Sequence, residues 1–195
     1  MQEMIEIEVF HGTNHQHFNS IKQNNFKGST GLEHEQWLGD GVYFFSKGVP
    51  PNPEESAENW AIAEAWDNKT YSYFYRKYCV LKAVVNVEKS KFLDLSTWDG
   101  MEVFNYLRSL YIDKLREKRT KLKHGEFKDG HIINNALQTI DLEIDVVRGN
   151  FYFKFTDDRI CNAQFKTPNC TILAVRNVNC IDINSIQSIK SENIR

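Results

Sequence analysis

Apolar and charged residues alternate from Ile5 to Phe10, with Ile5, Ile7 and Val9 on one face, which predicts a half-buried strand. Phe18 and Ile21 then recur at helical spacing. They predict a helix over 14–25 that exits at Phe26-Lys27-Gly28, with the polar run 27–36 as a loop. Val42 to Phe45 is too continuously apolar for an exposed strand and belongs in a sheet interior. Pro50-Pro51-Asn52-Pro53-Glu54-Glu55 reads as a helix start, with Asn52 as cap, Pro53 at the first helical position and Glu55 closing a capping box. The helix carries Ala57, Trp60 and Ala61 on one face and is expected to reach Trp66.

Further on, Tyr78–Val87 reads as a strong strand, followed by a short one at Phe92–Leu95. Phe104, Leu107, Tyr111 and Leu115 form one stripe of a long helix over 101–123, whose end is basic (Lys114, Arg116, Lys118, Arg119, Lys121, Lys123). Gly125 and Gly130 bracket a break before a second helix near 131–138. The helical stretch of about 100–140 lies between strand-rich halves and reads as an insertion within one domain spanning 1–195. Ile144–Val147 and Phe151–Phe155 are expected as strands meeting across an Arg148-Gly149-Asn150 turn. A polar loop follows over 156–169, then a buried strand at Thr171–Val175 and an edge strand over Ile181–Ile189. The fold class is α+β.

Composition narrows the picture little. With 195 residues, 41% hydrophobic and 26% charged, the chain can bury one core. A net charge of -2 exerts no global pull toward nucleic acid or anionic membrane. No stretch approaches the length of a membrane span, and Glu3, Glu6 and Glu8 do not suit a signal peptide. Four cysteines (Cys79, Cys161, Cys170, Cys180) without CxxC spacing point to a reduced, cytoplasmic protein with no metal site.

The sequence from Val9 to Phe45 joins a strand ending in His11-Gly12-Thr13, a helix, a loop and Gly39-Asp40-Gly41-Val42-Tyr43. This combination resembles the NAD-binding core of diphtheria-toxin-like ADP-ribosyltransferases, the superfamily that includes the poly(ADP-ribose) polymerases. The likeness is fullest over 9–66 and looser over 78–95 and 144–181. It implies an ADP-ribosyltransferase fold, with split mixed and antiparallel sheets flanked by helices, and NAD as substrate. It also implies roles by position. Gly12 would hold the nicotinamide carboxamide with its main chain, because a residue without Cβ admits so close a ligand. His11 would hold a ribose hydroxyl, with Thr13 behind it, and Gly41 would permit the turn at the cleft mouth. Tyr43 would stack on the nicotinamide, facing the pocket while Phe44 faces the core. Ser56 would reach the carboxamide and Trp60 the other side of the ring, although Trp60 falls one residue later than in the polymerase-like pattern.

Relatives of this type carry a glutamate at the start of a late strand, where it stabilises the ribose cation. Counting back from Thr171–Val175 gives Asn169 here, so the resemblance implies transfer of single ADP-ribose units and no chain elongation. Asp157, Asp158, Glu143 and Gln164 are other polar candidates. The loop 154–169 stands where relatives recognise the acceptor. Lys154, Arg159 and Lys166 could meet phosphates and Phe155 or Phe165 could stack a base, which favours RNA as acceptor over protein or DNA. The expected protein is a mono-ADP-ribosyltransferase toxin of a bacterial conflict or anti-phage system, with an antitoxin as possible partner. The alternatives are a non-catalytic NAD or ADP-ribose binder, an NAD glycohydrolase and an RNA-binding protein.

Overall fold

The computed structural model describes residues 2–28, 37–50, 52–117, 129–138, 142–162 and 164–194. Residues 29–36 of the loop expected over 27–36, the basic run from 118 to 128 and Gly125 lie outside the described residues.

Among the described residues nine strands form: β1 (Met4–Asn14), β2 (Val42–Ser46), β3 (Trp66–Asp67), β4 (Ser72–Tyr73), β5 (Lys77–Glu88), β6 (Phe92–Asp94), β7 (Val146–Phe151), β8 (Cys170–Val175) and β9 (Gln187–Asn193). Five α-helices accompany them among the same residues: α1 (Phe18–Asn24), α2 (Pro53–Glu64), α3 (Trp98–Glu117), α4 (Asp129–Leu137) and α5 (Thr156–Ile160). Seven strands make one sheet in the order β6-β7-β8-β2-β1-β5-β9, and β3 and β4 form a separate two-stranded ribbon. The architecture is mixed α+β, with a mostly antiparallel sheet flanked by helices.

Side-chain alternation divides the core into two layers. Phe10, Phe45, Val80, Val147, Ile172 and Ala174 face α2, α3 and α4, which contribute Ala57, Ala61, Phe104, Leu107 and Ile133. Val9, Val42, Phe44, Leu81, Val85, Leu173 and Val175 face the other way, against Phe26, Ile181 and Ile186. All the main-sheet pairings are antiparallel except β6 with β7, which run parallel from Phe92↔Val146 to Asp94↔Arg148. A parallel pair needs a long crossover. The helices α3 and α4 lie between those two strands in sequence, so the stretch read as an insertion is this crossover. Its apolar stripe is part of the core.

Three local expectations give way. Arg148-Gly149-Asn150 is not a turn: all three pair in register with β8 inside β7, which ends at Phe151, so the second strand expected over Phe151–Phe155 does not form past its first residue. Turn-rich composition is overridden because Leu173, Ile172 and Thr171 supply a continuous ladder opposite. The helix α2 stops at Glu64, and Trp66 starts the ribbon by pairing with Tyr73. Its cap is Asn52, whose side chain accepts from Glu54 N–H at 3.1 Å. The edge strand is β9, displaced toward the C-terminus because two 3-10 turns occupy Val178–Cys180 and Ile183–Ser185.

Candidate active site at the β1–β2 seam

Eleven pairs join β1 to β5, yet β1 meets β2 only at Val9↔Ser46 and Phe10↔Phe45. Beyond Phe10 the two strands no longer pair, which leaves a seam. His11 closes its start: Nδ1–H donates to the Tyr43 carbonyl at 2.8 Å, where a strand amide would otherwise bond. That bond makes Nε2 the acceptor of the neutral ring. The imidazole packs edge-on against Phe26 (5.1 Å between centroids) and Phe44 (5.6 Å). This burial lowers the His11 pKa and outweighs the opposing pull of the carbonyl.

The Tyr43 carbonyl faces β1, so Phe45, two residues on, turns its main-chain groups the same way and bonds Phe10. By the same alternation Gly12 presents its N–H and C=O on the β2 side of β1, past the last residue that β2 pairs. On its other flank Gly12 lies against α2: a Cβ there would stand 1.7 Å from the Ala57 carbonyl oxygen. Ser56, next to Ala57, is 1% exposed, and its hydroxyl has no hydrogen-bond partner among the described residues. A buried, unmatched hydroxyl is uncommon in a native fold and marks a place for a ligand or a water. Gly12 thus lies against the part of α2 that carries Ser56.

Thr13 pairs with Cys79 on β5, and its hydroxyl bonds His17 Nδ1 at 3.2 Å. Gly41 permits close approach of the Val175 carbonyl, which a Cβ would meet at 2.8 Å. Gly39 adopts φ of 85°, and a side chain there would strike Asn134 Oδ1 at 2.5 Å. Asn134, on α4, accepts from Asp40 N–H (2.9 Å) and from Arg176 (2.6 Å), so the crossover helix holds the glycine corner.

Tyr43 and His11 do not present their side chains to one face. His11 lies with Phe44 and Phe26, whereas Tyr43 packs in the opposite layer, with Phe45 and Trp60. Adjacent strands in register enforce this, since His11 lies opposite Phe44 and not Tyr43. The phenol accepts from Leu38 N–H at 2.9 Å and donates to the Gly39 carbonyl at 2.7 Å, and burial pushes its pKa up to about 12. Trp60 stands tilted to the ring of Phe153 at 5.1 Å, and Trp37 stacks on that ring at 4.4 Å.

Asn169 precedes β8 as counted, but its amide is committed: Oδ1 accepts from Phe153 N–H at 2.8 Å and Nδ2 donates to Phe153 C=O at 2.9 Å. Glu143 lies away from the seam, ion-paired to Lys91 beside β6. Asp157 and Asp158 sit on α5, and Gln164 is exposed in the loop beyond it. Among the acceptor-loop cations, Arg159 bonds the carbonyls of Lys154 (2.8 Å) and Ala63 (3.1 Å), while Lys154 reaches Asn162 at 3.5 Å. Lys166 is exposed, Phe155 turns into the core layer and Phe165 is exposed. Trp37, Phe153 and the Asn134–Arg176 pair were not singled out in the sequence. The alternating Phe151, Phe153 and Phe155 was the available signal for the aromatic group.

Among the described residues, no helix is long and apolar enough to cross a membrane, and no three His, Cys, Asp or Glu are grouped to hold a metal ion. No protein-family model matches the chain, and no curated protein matches it.

Proposed function

We propose that the chain is a mono-ADP-ribosyltransferase that cleaves NAD at the β1–β2 seam and transfers ADP-ribose to a macromolecular acceptor, RNA being favoured. One observation carries this reading: the Gly12 main chain, turned toward the seam, lies against the Ala57 carbonyl, one residue along α2 from the buried and unmatched Ser56 hydroxyl. A primary carboxamide offers an acceptor oxygen and a donor nitrogen, which complement an N–H, a C=O and a hydroxyl at one place. His11 stands on the opposite face of the sheet from α2, so its Nε2 could meet a ribose hydroxyl only on the side of Phe26 and Phe44, across the seam from this corner. Trp60 supplies an aromatic wall for the leaving ring, on which it can be held away from water.

In the reaction, the bond from nicotinamide nitrogen to ribose C1 breaks and its electron pair leaves with nicotinamide. The acceptor nucleophile bonds C1 and gives its proton to solvent. Asn169 brings no negative charge, consistent with single transfer and no elongation. The protein would work in the cytoplasm, where NAD is available, as a toxin held in check by an antitoxin.

A second reading is favoured by the commitment of Asn169 to Phe153. The seam would then bind NAD or ADP-ribose without turnover. Incubation with NAD labelled on its adenylate phosphate, followed by separation of protein, RNA and DNA, tests both. Label in the RNA fraction supports transfer to RNA. Intact NAD in every fraction, with NAD still raising the melting temperature, supports the binder.

A further inference from the structure

The ribbon after α2 exposes more aromatic surface than its packing requires. Trp66 pairs with Tyr73 across it, their rings edge-on at 5.1 Å. Tyr71 at its tip is 78% exposed and Phe74 just after it is 73% exposed. Tyr71 also adopts φ of 52°, a left-handed conformation that a bulky residue takes only against steric resistance. Glycine or asparagine would suit that turn position better, so the ring stands there at a cost to the fold. Local conflicts of this kind cluster at functional positions.

Cations stand beside these rings. Lys69, Arg76 and Lys77 are exposed on and beside the ribbon. Acids stand there too: Asp67 accepts from Lys69 N–H at 2.8 Å and Thr70 hydroxyl at 2.7 Å, Glu64 pairs with Arg159, and α5 carries Asp157 and Asp158. A cleft of about 370 Å³ opens between the ribbon, the end of α2 and α5, walled by Trp66, Tyr73 and Ile160 with Asn68 and Arg159 among its polar lining. Arg159 is fixed there by the Ala63 carbonyl and by Glu64. Exposed rings, surrounding cations and a cleft with an apolar wall and a few polar groups are the features that hold unstacked bases and their phosphates.

We propose that the ribbon and this cleft dock a single-stranded nucleic acid, with a base in the cleft and the rings of Tyr71 and Phe74 stacking its neighbours. That the bound strand is the acceptor rests on the transfer activity proposed above; its binding does not. Duplexes are disfavoured because their bases are already stacked.

Fluorescence anisotropy of the full chain with labelled RNA and DNA oligonucleotides of about twelve nucleotides, single- and double-stranded, tests this. Single strands of either sugar are expected to bind, more weakly as salt rises. The double variant Tyr71→Asn, Phe74→Ala is expected to weaken binding at least about tenfold, the loss of roughly one stacked base. Both residues are exposed, and asparagine suits the left-handed turn, so the melting temperature should hold. Tight binding unchanged in this variant, equal affinity for duplex, or no binding at low salt would each overturn the proposal. Oligonucleotide binding without any NAD cleavage would refute the transferase reading alone.

Discussion

The side-chain amide of Asn169 satisfies both main-chain groups of Phe153, as a strand residue would. It extends the β7–β8 pairing by one step past Phe151↔Cys170 and fixes the main chain of Phe153, whose ring contacts Trp37 and Trp60. Asn169 is therefore a clamp on the aromatic group that borders the seam. Asn169→Ala should lower stability by about 1–3 kcal/mol in urea titration, since two main-chain groups lose their partners. It should leave nicotinamide release intact; abolished release with unchanged stability would assign the residue to catalysis instead.

Gly12 is constrained from both sides. A methyl group at this position would overlap the Ala57 carbonyl, which stands 1.7 Å from the Cβ position. Gly12→Ala should therefore push α2 off the sheet and destabilise the fold by about 1–3 kcal/mol. A urea midpoint equal to that of the native chain would show that the helix yields freely.

Burial lowers the His11 pKa below its ordinary value of 6.5. As pH falls through that value the unfolded chain takes up the proton before the folded one does. The His11 contribution is thus complete above about pH 6.5 and is lost progressively below it, until the folded ring also titrates. Melting temperatures at about pH 7.5 and pH 5.5 should fall further for the native chain than for His11→Gln. An equal fall in both would mean that the ring is freely protonated in the fold.

Cys79 and Cys180 have pKa values pushed up to about 11 and Cys170 to about 12, each by burial. Cys161 is the one exposed thiol of the four. A neutral-pH titration with a chromogenic disulfide should count one reactive thiol in the native protein and four in denaturant. More than one in the native state would place a second cysteine at the surface.

Periodicity made the main strands and helices legible, because Val42–Phe45, Tyr78–Val87 and the Phe104–Tyr111 stripe are strongly patterned. The crossover role of α3 and α4 was not legible, since strand direction depends on which partner β6 finds. Arg148-Gly149-Asn150 misled because its ladder comes from residues more than twenty positions away. At the site, the contact of Gly12 with Ala57 follows from the close helix that glycine admits. The separation of His11 and Tyr43 onto different faces follows from register, which no local motif encodes. The commitment of Asn169 depended on a loop that composition describes only as polar.

The central claim is that the Gly12–Ser56 corner receives the carboxamide of NAD while the bond to nicotinamide breaks. Release of nicotinamide from NAD carrying a labelled nicotinamide ring, compared between the native chain and Ser56→Ala, tests it most directly. The account predicts steady release by the native protein and a loss of about tenfold or more with Ser56→Ala, at unchanged melting temperature. No release by the native protein, or equal release by both, would contradict it.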